Sequence, residues 1–162
     1  MASFDINKLS TGDKVVGIGA ILYLISMFLP WYGIDIPFGG SFSNNGWSYF
    51  LGGILPLILI LAVAAVIAIK RFAPDTNLPT LPITWSQAIL YASAAAAVIV
   101  LLRLAIGSDK VGSISTGVDL DRKIGLFLAV ISSVAVAVGA FLKYQAKEDD
   151  AGATPSGPPT AF

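Results

Sequence analysis

The sequence predicts an all-α integral membrane protein: a bundle of four helices with an aromatic-rich outer loop, carrying the signals of a short hairpin, between the first two. Three observations predict it. Of 162 residues, 56% are apolar and 12% charged, about half the charged share of an ordinary soluble domain, and the mean hydropathy is +0.80. A soluble globule of this length leaves too much of its area facing water to hide so much apolar surface. The apolar residues also fall into four runs, each close to the ~20 residues that cross hydrocarbon as a helix.

The first span is expected over residues 15–32, through GIGAILYLISMFL to Pro30 and Trp31. It reads as a retained helix, since Pro30-Trp31-Tyr32-Gly33 is a poor processing site for a signal peptide. Gly33 to Ser48 is rich in Gly, Pro, Asn and aromatics, with Asn45-Gly46 a turn signal between Phe42 and Trp47. The second span, 49–69, carries Pro56 near its start, where a proline is tolerated in a membrane helix but bends it.

Pro74, Pro79 and Pro82 rule out a helix between the second and third spans and favour an extended connector. The third span, 85–106, is alanine-rich and is expected to be the least hydrophobic of the four. The fourth, 124–142, follows a polar segment containing Asp109, Lys110, Asp119 and Asp121. From 146 to 162 the composition, with Glu148, Asp149 and Asp150 followed by Pro and Gly, is that of a disordered cytoplasmic tail. Its Pro155-x-x-Pro158 pattern carries no weight alone.

Cations collect on the cytoplasmic side of membrane proteins. Lys8 and Lys14, Lys70 and Arg71, and Lys143 and Lys147 flank alternate segments, and the first loop carries only Asp35. Both termini are therefore expected inside, at the plasma membrane; Lys110, Arg122 and Lys123 of the third loop run against the rule. The outer-loop aromatics, Trp31, Tyr32, Trp47 and Tyr49 foremost, are expected to form an interfacial belt at the headgroup level, with an exposed platform for a lipid, glycan or partner as the other reading.

The net charge is zero, so no global field recruits nucleic acid. Without Cys or His, disulfides, thiolate chemistry, a Ser-His-Asp triad and a tight transition-metal site are excluded, and no cofactor is expected. No Asp or Glu falls inside an expected span, which removes the usual carboxylate relay of a coupled transporter. Arg103 is the one charged residue expected within a span. It lies about 20° from Ala92 and Ala96 on the helix wheel, so it should face protein. Asp119 or Asp121 is its expected ion-pair partner, and Arg103 with Arg122 is a candidate site for an anion or lipid headgroup. Small residues permit close helix approach in lipid. Ala88, Ala92 and Ala96 on the third helix, with Gly125, Ala129, Ser133 and Ala137 on the fourth, are the expected tightest seam.

The strings LSTGDKVVGIGAILYLISMFLPWYGI, GWSYFLGGILPLILI and LDRKIGLFLAVISSVAVAVGAFLK resemble small four-transmembrane-helix proteins common in actinobacteria. The resemblance implies a plasma-membrane address and the four-helix plan, and brings no activity and no catalytic residues.

With little soluble mass, no ionisable relay and no cofactor ligands, the expected role is non-enzymatic: an accessory, scaffold or assembly subunit of a larger plasma-membrane complex or a homo-oligomer, with the bilayer as its first partner. The alternative is a small oligomeric channel or carrier for an anionic or lipid-like ligand, lined by Arg103 and Ser132-Ser133.

Overall fold

A computed structural model describes residues 9–73, 75–106 and 121–146. Lys8, Pro74, Asp109, Lys110, Asp119, Lys147 and the expected tail with its Pro155-x-x-Pro158 lie outside these residues. Among the described residues, four helices are long and apolar enough to cross a membrane, and the chain is an all-α, multi-pass membrane bundle with one small sheet at a single end. The elements are α1 (Thr11–Phe28), β1 (Pro30–Ile36), β2 (Gly40–Asn45), α2 (Leu55–Phe72), α3 (Trp85–Ile106), β3 (Asp121–Arg122) and α4 (Ile124–Ala146).

Helix α1 starts four residues before the expected span because Ser10 and Asp13 form a capping box. The Ser10 hydroxyl accepts from Asp13 N at 3.2 Å, and the Asp13 carboxylate accepts from Ser10 N at 3.0 Å, satisfying two of the donors a helix start leaves open. This early start puts an acid inside a span, contrary to expectation, and α1 rather than α3 is the least apolar of the four. Thr84 and Gln87 build the same reciprocal cap on α3.

The tightest pair is α1 with α4, antiparallel, and not α3 with α4. Both helices bury residues every three or four positions: Gly12, Asp13, Val16, Gly19, Ala20, Tyr23, Ser26 and Met27 on α1, and Gly125, Leu126, Ala129, Ser132, Ser133, Val136, Gly139, Ala140 and Lys143 on α4. This is the stripe of a close-packed helix pair. Glycines set the distance. A Cβ on Gly139 would sit 2.9 Å from Gly12 O and 2.8 Å from a Val16 methyl, and one on Gly19 would sit 3.0 Å from Ser132 O. Alanine cannot match that approach, so the α3 seam, with Ala88 and Ala92 only half-buried and Ala96 buried, comes second.

Pro56 lies near the start of the second span, as expected. A π-helical turn over Phe50–Ile54 precedes α2, and Pro56 occupies its first turn, where the missing N–H costs little. Tyr23 reaches across from α1 to donate to Gly53 O at 3.2 Å, with Gly52 O at 3.5 Å.

The hairpin forms, but its turn lies between Ile36 and Gly40, with Phe38 at φ 67° and Gly40 at φ 92°. Asn45-Gly46 instead ends β2 and opens a short 3-10 turn, Gly46–Ser48. The sheet order is β2-β1-β3, antiparallel throughout. The β1–β2 register slips between Pro30 and Tyr32; such a slip re-aims a side chain, and Trp31 and Tyr32, consecutive in sequence, are both fully buried.

Gly139→Ala should lower bundle stability by about 1–3 kcal/mol, the usual penalty for overpacking. Gly17→Ala, with open space around it, should be neutral or stabilise by up to about 1 kcal/mol through helix propensity. Thermal unfolding of the two variants in one detergent checks the contrast.

Candidate functional site

Polar side chains gather at the two ends of the bundle, and each end holds a buried cation. At the end opposite the sheet, Asp13 projects from the first turn of α1 with its carboxylate shielded from solvent. One oxygen accepts from Nζ of Lys143 on α4, whose side chain is fully buried, and the other from Nε of Arg71 on α2 at 2.6 Å. One carboxylate thus ties three helices together. A buried charge is tolerable only when paired and hydrogen-bonded, and Asp13 supplies both to Lys143. Beside this cluster, Lys70 Nζ lies 5.6 Å from the centre of the Trp85 ring, stitching the end of α2 to the start of α3.

Reading the sequence missed this site because Asp13 and Lys143 flank long apolar runs and look like ordinary snorkelling ends. The signals that could have found it are the S-x-x-D cap at Ser10 and the phase of Lys143, seven residues after Val136 on the buried stripe.

At the sheet end, Arg103 faces protein as expected, but the protein it faces is aromatic. Its guanidinium carbon lies 4.1 Å from the centre of the Tyr49 ring and 5.2 Å from that of Tyr32. A Cβ on Gly52 would sit 2.9 Å from the Arg103 side chain, so the small residue there opens its berth. The Tyr32 hydroxyl donates to Arg103 O at 2.8 Å. Burial pushes the Tyr32 phenol above its ordinary pKa, with the positive charges of Arg103 and Arg122 pulling the other way. Trp31 stacks beside Tyr49 at 6.4 Å between ring centres, meets Tyr23 edge-on, and donates through Nε1 to Ser26 O at 2.7 Å.

These positions correct the belt expectation. Trp31, Tyr32 and Tyr49 are interior, because the sheet folds them over the ends of the helices. Of the four, Trp47 alone is exposed, with its ring 5.6 Å from Phe28. Of the residues grouped around Arg103, Asp121 and Arg122 form exposed β3 beside β1, and Arg122 Nε donates to Leu104 O at 2.8 Å. Asp119 falls outside the described residues. The expected seam residues on α4 divide: Gly125 lies against Pro30 O and the Trp31 ring, Ala129 and Ser133 are buried, and Ala137 is half-buried. Ser132 and Ser133 turn their hydroxyls back onto carbonyls of their own helix.

Neither cluster has the make-up of a hydrolytic or redox centre, and among the described residues no group of acids could hold a metal ion. What the two arrangements do chemically is hold cations inside the ends of an apolar bundle. No protein-family profile, curated protein or solved structure matches the chain.

Asp13→Asn should cost about 3–5 kcal/mol by removing the buried carboxylate that bonds Lys143 and Arg71, and the double change Asp13→Asn with Lys143→Met should recover part of it; a melting series on the two variants tests this. Tyr32→Phe should cost about 1 kcal/mol or more, because Arg103 O loses its donor. The Tyr49 hydroxyl has no hydrogen-bond partner among the described residues, so Tyr49→Phe should be neutral in the same assay.

Proposed function

We propose that the chain is a non-enzymatic accessory or assembly subunit of a larger complex in the plasma membrane, presenting its small sheet to a partner on the outer side. The observation that carries this reading is the contrast between a closed interior and an open sheet. Val16, Tyr23, Met27, Ile60, Val100, Leu126 and Val136 fill the middle of the bundle with almost no accessible surface. The buried hydroxyls of Ser93, Ser132 and Ser133 are spent on their own helices. The surface left for work is the outside, where β2, GSFSNN, is an exposed edge strand. An unpaired edge is a template for another strand, and this one carries no charge to refuse it.

Orientation follows from the charges. Lys14, Lys70, Arg71 and Lys143 stand at the end opposite the sheet, with the acids Asp13 and Asp75 among them. At the sheet end Arg122 and Lys123 are matched by Asp35 and Asp121, with Lys123 Nζ 3.2 Å from Asp35. The larger number of Lys and Arg at the end opposite the sheet supports, by the positive-inside rule, a reading with both termini in the cytoplasm. The alternative of an oligomeric anion path is less favoured, since among the described residues Arg103 lies against two tyrosine rings and the hydroxyls of Ser132 and Ser133 bond carbonyls of their own helix.

The test is gentle solubilisation of native membranes with a carboxy-terminally tagged chain, followed by mass spectrometry of what travels with it. A partner at fixed stoichiometry is expected, and Ser41→Lys with Ser43→Lys on the edge strand should release it without lowering the melting temperature. Recovery of the chain alone, or a partner indifferent to both lysines, would overturn the reading.

A further inference from the structure

The sheet has two unlike faces. Side chains alternate along a strand, and the register places Tyr32, Ile34, Phe42, Asn44 and Arg122 on one face and Gly33, Asp35, Ser41, Ser43 and Asp121 on the other. The second face is polar and carries both acids. The first begins at Tyr32, whose ring and hydroxyl are seated on the end of α3. That face is therefore turned toward the helices and, beyond their footprint, toward whatever surrounds them.

The next row outward on the same face is Ile34 opposite Phe42, about 7 Å further along the strands. Here the protein stops: Phe42 is 59% exposed, and at the tip Phe38 is fully exposed. Phe38 also holds a left-handed backbone, φ 67°, a conformation that costs a bulky residue free energy, and among the described residues its ring stands fully exposed.

Lipid-facing apolar surface reaches this level. Leu29 alone separates α1 from β1, and the apolar side chains of Phe28, Phe50, Leu102, Ile106 and Ile124 are exposed around the sheet end of the bundle. Arg122, the cation on this face, reaches to Leu104 O in the last turn of α3, a depth at which an arginine meets headgroup phosphates.

We propose that the hairpin is an interfacial foot: Ile34, Phe42 and Phe38 rest on the lipid surface beside the bundle at the headgroup boundary, and the polar face looks into water. Lipid, and not a second copy, is the occupant because the face is continuous with the one seated on the helix ends. A neighbouring copy would carry its own sheet at the same height, and the space beneath this face belongs to the membrane. The foot would hold β2 at a fixed height over the bilayer; it does not require that a partner bind there.

The chain contains no Cys, so single cysteines at 38, 41, 42 and 43 can each take a nitroxide label in the full-length protein. In phosphatidylcholine vesicles, labels at 38 and 42 should collide far more with dissolved oxygen, which partitions into lipid, than with a water-soluble nickel chelate. Labels at 41 and 43 should show the reverse, giving an oxygen-to-nickel ratio several-fold higher at 42 than at 43. Equal access to nickel at all four would overturn the proposal. Shielding of 38 and 42 from both reagents would also overturn it, by showing protein over that face. If the labelled chain at 42 does not fold, the turn-tip position 38 decides. Because the measurement uses the purified chain, it fails or succeeds independently of any partner found by co-purification.

Discussion

Two apolar helices in lipid gain little by hiding from solvent, so α1 and α4 must hold each other by contact. Gly12 meets Gly139 and Gly19 meets Ser132 along the backbone, a spacing at which dispersion and weak polar contacts accumulate along the seam. That approach brings Lys143 within reach of Asp13. Were the helices further apart, Lys143 would lose the Asp13 carboxylate beside it. The glycine contacts and the ion pair are therefore one arrangement, and α2 joins it because Arg71 takes the second carboxylate oxygen.

At the other end the same helix pair positions the sheet. Gly125, just inside α4, lies against Pro30 O and the Trp31 ring, and Lys123 N donates to Trp31 O at 2.8 Å. β1 and the start of α4 are thus joined where α1 ends, and β3 pairs with β1 alongside. The register slip after Pro30 turns two consecutive aromatics inward, so Trp31 and Tyr32 cap the bundle and Tyr49 closes over Arg103. An arginine near the end of a span need not snorkel when two tyrosine faces and a vacant glycine side-chain position receive it; cation–π contact grows in value as water is removed.

The bundle is thus tied at both ends by buried cations and packed through its middle by apolar side chains. Its hairpin combines an uncharged edge, a polar face and an apolar face.

Composition and spacing alone determined that the chain crosses a membrane, how often, and where each helix runs within a few residues, because a bilayer demands a long apolar run whatever else the protein does. They also placed Arg103 on a protein-facing side, since its angle to Ala92 and Ala96 is a property of the helix alone. Only the tertiary structure decided which helices are closest, because glycine and alanine seams look alike along a chain, and a few tenths of an ångström between backbones separates them. It alone decided that Asp13 and Lys143 are partners and that Trp31, Tyr32 and Tyr49 are core. Those are facts about residues distant in sequence, and burial there depends on which helix ends the sheet happens to cover.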